Sequence, residues 1–460
     1  MATSLTPGKT SSALSKLAEL SSQSSIRKLF TALNNDSSLH IVGGAVRDAI
    51  LNKEIKDIDL TTKLRPEDVS SALAKAGIRW EPTGIEHGTI LAVVDEEPIE
   101  ITTFRRAGAA RIETGPKIFS ETIEEDLAGR DFTINALAFN ILSQSIVDPF
   151  GGLADLEHKI IKCVGDPIAR FKEDPLRILR MARFGPALGR TIDQKTFKAA
   201  TQTKDQIKSV SQERIRDEFI KIICNQFPGN ALRELRQIGA LDIILPEIIP
   251  SYDFEQNDFH RFDVFEHTLA VLDNAPSSPL LRLSAVFHDL GKPATLSVGE
   301  DGRRHFYKHE IESTHLTKQA LKRLRCSNKL IHDVSLLVRY HMRPLNCGPA
   351  AVRRLIKDLG PLLEPWMEFK VADSLGAKVT PSDINAAIGN FKKMLEEQLK
   401  KGDFLTLAID GDDLKQLGVS EGPIIGNIIN SLRDIVIAEP ANNTREYLLT
   451  LVKEKFISSE

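Results

Sequence analysis

From Leu39 to about Val164 the chain alternates apolar and polar positions in short runs of period two, separated by short helical stretches. The runs at His40–Gly43, Ile58–Thr61, Thr89–Asp95 and Ile99–Phe104 read as strands, because that period turns every second side chain toward a buried face. Strands interleaved with helices predict an α+β domain on a small mixed sheet. Past Asp174 the apolar spacing lengthens to three and four, and Pro175–Arg183, Ser211–Cys224, Val264–Asn274, Leu281–Asp289, Thr314–Leu324 and Leu330–Tyr340 read as amphipathic helices. Pro and Gly break the pattern at 165–167, 246–250 and 378–381. The expectation is an α+β N-terminal head followed by an all-α remainder, divided at 1–37, 38–168, 169–245, 246–377 and 378–460. The first segment, rich in Ser and Thr, reads as a partly disordered leader.

At 460 residues, 42% hydrophobic and 27% charged, the chain has ordinary globular composition, which excludes a fibre and a wholly disordered chain. A net charge of −3 means that any nucleic-acid surface is a local patch. The four cysteines show no CxxC spacing, so a reducing cytoplasm is the expected compartment. The longest run without a charged residue, Phe132 to Val147, falls short of the ~20 apolar residues that cross a bilayer, and no membrane partner is expected.

Residues 41–48, IVGGAVRD, place Gly43 and Gly44 between an apolar run and a helix that carries Arg47. Such a turn lets backbone N–H groups approach phosphate oxygens, although a tight turn with nothing bound uses the same residues. In KDIDL, period two sets Asp57 and Asp59 on one face and Ile58 and Leu60 on the other. Two close carboxylates repel unless a cation lies between them, and carboxylate plus substrate phosphate is the usual Mg²⁺ environment. Glu100, in IEITTFR, is a third candidate carboxylate; exposed acids on a surface strand are the alternative for all three.

The strings VGGAVRD, DIDLTT, TGIEHGT (83–89), EEDLAGRDFTINALA (124–138), DPFGGLADL (148–156) and EDPLRILRMARF (173–184), in this order, resemble the bacterial-type (class II) CCA-adding tRNA nucleotidyltransferase and poly(A) polymerase family. The resemblance continues through ERIRDEF (213–219). TGIEHGT and the tail at 411–426 look more like the tRNA enzymes than the poly(A) polymerases. It implies a nucleotidyltransferase head (38–168), a helical neck that reads the base and binds RNA (169–245), and a helical tRNA-binding tail (378–460). The implied reaction is template-independent addition of C and/or A to the 3′ end of tRNA from CTP and ATP. By position, Gly43, Gly44 and Arg47 would hold triphosphate, Asp57 and Asp59 would bind Mg²⁺, and Arg130 and Asp131 would contact phosphate and ribose. Asp174 and Arg177 would imitate a Watson–Crick partner, and Arg180 and Arg183 would add nucleotide contacts.

The local sequence agrees with a charged, nucleotide-facing helix. Pro175 suits a first helical turn with Asp174 as its cap. Asp174, Arg177, Arg180 and Arg183 recur every third residue, and residues 170–221 hold thirteen Lys/Arg against seven Asp/Glu. Two departures stand out. Gly129 replaces the first Arg of the family's Arg-Arg-Asp, and the 106–123 loop, though present, is unlike the family's usual Pro-containing, basic version.

Eight of eleven histidines fall between His260 and His341. His267, His288-Asp289, His309, His341 and Asp373 run in the order H…HD…H…H…D on expected helices; imidazole with carboxylate suits a transition-metal or mixed dinuclear centre acting on phosphoesters. This resembles an HD domain (246–377). His260, His305, His315 and His332 read as packing or surface residues. Three alternatives are a metal-dependent HD phosphohydrolase of RNA ends or nucleotides with the head as nucleotide sensor, against which the intact Asp57, Asp59, Asp174 and Arg177 argue; a poly(A) polymerase; and an RNA-binding protein without catalysis, disfavoured because both the carboxylate and the imidazole sets are complete.

Overall fold

The computed structural model describes residues 7–55, 57–82, 88–106, 119–256, 263–377, 379–400 and 404–457. The chain forms two compact units, Met1–Pro246 and Glu247–Glu460.

The first unit is built on strands β1 (His40–Val42), β2 (Asp59–Thr62), β3 (Arg79–Glu81), β4 (Thr89–Val94), β5 (Glu97–Thr103), β6 (Ala138–Asn140) and β7 (Ser145–Val147), in the order β3-β4-β5-β2-β1-β6-β7. Only β2 and β5 run parallel. Register lines up Ile90, Ile101, Leu60, Ile41 and Phe139 across five strands, all buried. One residue along, the row reads Leu91, Glu100, Asp59, Val42 and Ala138 on the opposite face. There Val42 and Ala138 join a core with Phe104, Ile123, Leu127, Ala136 and Val164, while Asp59 and Glu100 stay exposed.

Helices α1 (Pro7–Ser21), α2 (Ser24–Ala32), α3 (Gly44–Ile50), α4 (Pro66–Lys75), α5 (Ile123–Ala128) and α6 (Gly152–Glu157) pack on the sheet region. They are followed by α7 (Pro167–Glu173), α8 (Arg177–Phe184), α9 (Gln194–Thr203), α10 (Gln212–Ile223), α11 (Pro228–Ile238) and α12 (Leu241–Ile244), with a small parallel pair, β8 (Ile160–Ile161) and β9 (Thr191–Ile192).

Two expectations are corrected here. The segment read as a leader is helical over α1 and α2, where Leu17, Ile26 and Leu29 are buried, as is Leu33 just past α2; Ser12, Ser15, Ser22, Ser24 and Thr31 are exposed, while Ser21 and Ser25 are buried with the apolar residues. Residues 1–6 lie outside the described residues. Asp174 does not cap a helix beginning at Pro175. Asp174, with φ −145° and ψ 97°, instead ends α7 and turns its carboxylate to Arg214, and α8 begins at Arg177 after Pro175 and Leu176.

The second unit comprises α13 (Val264–Asn274), α14 (Pro279–Phe287), a short hairpin of β10 (Ser297–Val298) and β11 (Arg304–His305), α15 (His309–Arg323), α16 (Asn328–Tyr340), α17 (Pro349–Leu359), α18 (Leu363–Gly376), α19 (Pro381–Leu399), α20 (Gly411–Gln416), α21 (Pro423–Ala438) and α22 (Arg445–Val452). Its core is apolar, with Phe265, Phe287, Trp366 and Phe369 fully buried. Among the described residues no helix is long and apolar enough to cross a membrane.

Candidate active sites

Antiparallel pairing of Val42 with Asp59 brings the end of β1 to the beginning of β2. The glycine turn and the carboxylates therefore meet at one place on the sheet. Gly43 has φ +66°, a left-handed backbone that favours glycine, and a Cβ there would lie 2.9 Å from Arg130 Nη1 and displace the end of that side chain. Asp59 faces Glu100 across the parallel pair, and Asp57 precedes the strand, exposed like both. Crowding by neighbouring atoms pushes the Asp59 carboxyl above the usual range; Arg130 opposes this and Asp57 adds to it. Asp59 and Glu100 thus offer exposed carboxylate oxygens on one sheet face, the donor type that hard divalent cations take; among the described residues they do not converge with Asp57 into a three-ligand set as the His/Asp residues of the second unit do.

Arg47, on α3, is held on three sides. Its guanidinium donates to Asp48 at 2.9 Å and to Asn135 Oδ1 at 2.7 Å, and it lies 5.1 Å from the Phe184 ring centroid. Asn135 in turn donates to Asp131 Oδ1 at 3.0 Å. Asp131 is buried and accepts from Arg180 Nε at 2.7 Å and from the Phe132 N–H at 2.8 Å. Burial alone would raise this carboxyl, but the Arg180 charge and these hydrogen bonds outweigh it and lower its pKa. Arg180 and Arg183 also flank Phe184, at 5.3 and 4.1 Å, and Arg183 pairs with Glu218. Three guanidiniums thus surround one ring, an arrangement stabilised by the ring quadrupole and kept from mutual repulsion by Asp48, Asp131 and Glu218.

Arg177 is buried rather than on an open stripe. It donates to Glu173 at 2.7 Å, to the Arg170 carbonyl at 3.2 Å and to the Gly129 carbonyl at 2.9 Å. Gly129, where the family has arginine, contributes its backbone oxygen to this contact. Arg170 reaches the adjacent Ala128 carbonyl at 3.3 Å, so two arginines satisfy the C-terminal end of α5. Asp174 accepts from Arg214 at 2.9 and 3.1 Å. Sequence reasoning missed Asn135, Phe184 and Arg214; each lies inside a quoted motif, but only the fold shows which charge it meets. Residues 83–87 of TGIEHGT and 107–118 of the departing loop lie outside the described residues.

In the second unit, His267, His288 and Asp373 form one set of potential ligands and Asp289, His309 and His341 another. His288 Nε2 is 3.3 Å from His267 Nε2, and His309 Nε2 is 3.1 Å from His341 Nε2. Asp289 spans both sets: its Oδ2 lies 3.5 Å from His267 and 3.3 Å from His288, its Oδ1 3.2 Å from His309 and 3.5 Å from His341. Asp373 Oδ1 is 3.5 Å from His267. The Nδ1 atoms of His288, His309 and His341 each meet a backbone carbonyl at 2.7 to 2.9 Å, which fixes the tautomer and turns Nε2 inward. Such nitrogen and oxygen donors fit one or two transition-metal ions. Lys292, absent from the sequence reading, places its ammonium 2.6 Å from Asp289 and from Gln256 Oε1. Burial opposes a charge on His288, yet Asp289 and Asp373 outweigh it and raise its pKa; burial lowers that of His341. His305, His315 and His332 lie outside this centre, and His260 falls outside the described residues.

Family models match three stretches: a poly A polymerase head domain at 39–162, a probable RNA and SrmB-binding site of polymerase A at 189–251, and an HD domain at 264–377. The chain is 30% identical to a CCA-adding enzyme of Lactobacillus helveticus over 88% of its own length and 90% of the relative's. It is also 30% identical to an A-adding tRNA nucleotidyltransferase of Deinococcus radiodurans, over 86% and 90%. In fold it is similar to the Bacillus stearothermophilus CCA-adding enzyme in complex with CTP, with a TM-score of 0.68, 22% identity and 99% of both chains covered. A Thermotoga maritima CCA-adding enzyme complexed with tRNA gives a TM-score of 0.56 at 20% identity, over 96% and 98%.

Proposed function

The chain belongs to the bacterial-type CCA-adding tRNA nucleotidyltransferase family with an HD domain, and from that premise we propose how its residues divide the work. The protein is a nucleotidyltransferase. Its substrates in this reading are tRNA, CTP and ATP, and its product is a tRNA with a restored CCA end. The tRNA 3′-hydroxyl oxygen bonds to the α-phosphorus of the incoming nucleotide, the bond to the β-phosphate breaks, and pyrophosphate and a proton leave.

Asp57 and Asp59, with Glu100 opposite Asp59, would hold Mg²⁺ at the end of the central strands. When bound, that ion polarises the reacting phosphate and offsets the charge that gathers on the departing pyrophosphate. The amides at Gly43 and Gly44 and the guanidiniums of Arg47 and Arg130 bind the triphosphate. Asp131 is a positioning residue, since its carboxylate is spent on Arg180 and Asn135. Arg177, anchored through Glu173 and the Gly129 carbonyl, commits three of its five N–H donors and keeps two for a base edge. Asp174, oriented by Arg214, supplies the complementary acceptor, and Arg180 and Arg183 bind the remainder of the nucleotide. The neck is 169–245 and the tail that supports tRNA is 378–460.

The observation that carries this reading is the meeting of the glycine turn with Asp59 and Glu100 at one end of the sheet. Asp59→Ala and Asp57→Ala should each cut nucleotide incorporation into truncated tRNA by orders of magnitude at unchanged circular dichroism, because metal-based charge stabilisation contributes several kcal/mol to the barrier. Near-normal incorporation by Asp59→Ala contradicts the assignment.

The complete His/Asp centre supports a second activity in the same chain, metal-dependent hydrolysis of phosphoesters on RNA ends or nucleotides. His267, His288, Asp289, His309, His341 and Asp373 hold the metal, and Lys292 fixes one oxygen of Asp289.

A further inference from the structure

Between the start of α15 and the end of α16 lies a cavity of about 390 Å³. His309 forms part of its wall, and the same residue's Nε2 faces His341 inside the His/Asp centre. Cavity and centre therefore share a residue. The cavity walls include Lys308, Arg339 and Arg343 against one acid, Glu310, which pairs with Arg339 at 3.4 Å. A surplus of two positive charges remains. Tyr307 stands on the same rim, 71% exposed, stacked on His305 at 5.2 Å and 10°. One face of its ring is backed by imidazole, leaving the other for a second planar group.

These features match a strand rather than a single nucleotide. A mononucleotide that gives its one phosphate to the metal centre has none left for the rim cations. A strand offers successive phosphates, and its bases stack on an exposed aromatic ring without regard to sequence. We propose that this cavity is the RNA subsite of the His/Asp centre: it takes the last nucleotides of a single-stranded 3′ end, with Tyr307 stacking on a base and Lys308, Arg339 and Arg343 contacting flanking phosphates. The proposal rests on the reading of the centre as a phosphohydrolase.

The test uses the full chain carrying Tyr307→Trp, in EDTA, so that binding is read without hydrolysis. Emission is recorded as the difference from the unsubstituted protein, which has two tryptophans of its own. The probes are a ribo-trinucleotide with a 3′-phosphate, the matching 3′-mononucleotide, and inorganic phosphate. The trinucleotide should quench the new emission and bind at least tenfold tighter than the mononucleotide. With two rim phosphate contacts, its log affinity should fall against log salt with a slope of about −1.4, and adding Arg343→Ala should remove about 0.7 of that slope. Equal affinity for trinucleotide and mononucleotide, an unchanged slope in Arg343→Ala, or no quenching overturns the proposal. Hydrolysis of the trinucleotide by Ni²⁺-loaded unsubstituted protein is scored separately. Binding with the expected slope but without hydrolysis upholds the subsite and overturns the phosphohydrolase reading.

Discussion

Arg177 shows how far a residue's neighbours decide its role. Its every-third spacing with Arg180 and Arg183 is visible in the sequence, and that spacing suggests a common exposed face. In the structure Arg177 is instead buried, tied to Glu173 and to the Gly129 carbonyl, while Arg180 and Arg183 gather around Phe184. Periodicity cannot reveal this, because the partners lie 48 and 49 residues away in the chain, at Gly129 and Asp131. The consequence for function is specific. A buried arginine with a fixed guanidinium discriminates bases because a wrong edge leaves donors unmet. Arg177→Ala should therefore lower the preference for CTP and ATP over UTP and GTP by tenfold or more in single-nucleotide incorporation, with a smaller loss in the rate for any one nucleotide. Retained preference in this variant means that the base is read elsewhere.

Among elements, the strands were the most legible in the sequence and the N-terminal helices the least. Alternation located β4 and β5, whose burial alternates along most of their length, whereas β1 is buried on both faces and β2 at every position after Asp59; in β2 the alternation still set exposed Asp59 apart from buried Leu60. The residues before β1 carry so much Ser and Thr that composition pointed to disorder, yet Leu17, Ile26, Leu29 and Leu33 recur at helical intervals and are buried. Helix α2 also fastens the β4–β5 hairpin: Ser24 and Lys28 bond to Asp95, at a turn where Asp95 and Glu96 both have positive φ. Such a turn favours Asn-Gly, so the contacts from α2 help to hold a sequence that does not by itself prefer it. Leu29→Ala should destabilise the protein by about 2–5 kcal/mol in urea unfolding, the range for a fully buried leucine. A loss below ~0.5 kcal/mol would mean that α2 contributes little to the folded unit.

On the scale of the whole molecule, two donor sets of different chemistry lie in the two compact units. The carboxylate face of the first unit offers oxygen, which suits Mg²⁺; the buried centre of the second offers imidazole with carboxylate, which suits transition metals. The order of histidines and aspartates along the sequence pointed to the same residues that the fold brings together in the second unit, because five of them lie on or just past helices α13 to α16, whose positions the apolar spacing located at least in part; Asp373, on α18, had no such pattern behind it. Lys292 was not disclosed, because an isolated lysine carries no pattern. If the sites are independent, His288→Ala with Asp289→Ala should abolish transition-metal-dependent release of phosphate from 2′-nucleotides or opening of 2′,3′-cyclic ones, with CMP and AMP addition changed less than about twofold. Loss of addition in a variant that remains folded by circular dichroism would show that the two activities are coupled. The central claim, that the first unit restores tRNA ends, is tested most directly by incubating the purified protein with tRNA lacking CCA, tRNA ending in CC and complete tRNA, each with CTP, ATP or both. Extension of the first to full length only with both nucleotides, of the second with ATP alone, and of the third with neither is the predicted result. Phosphoester hydrolysis without addition to either truncated tRNA would contradict it.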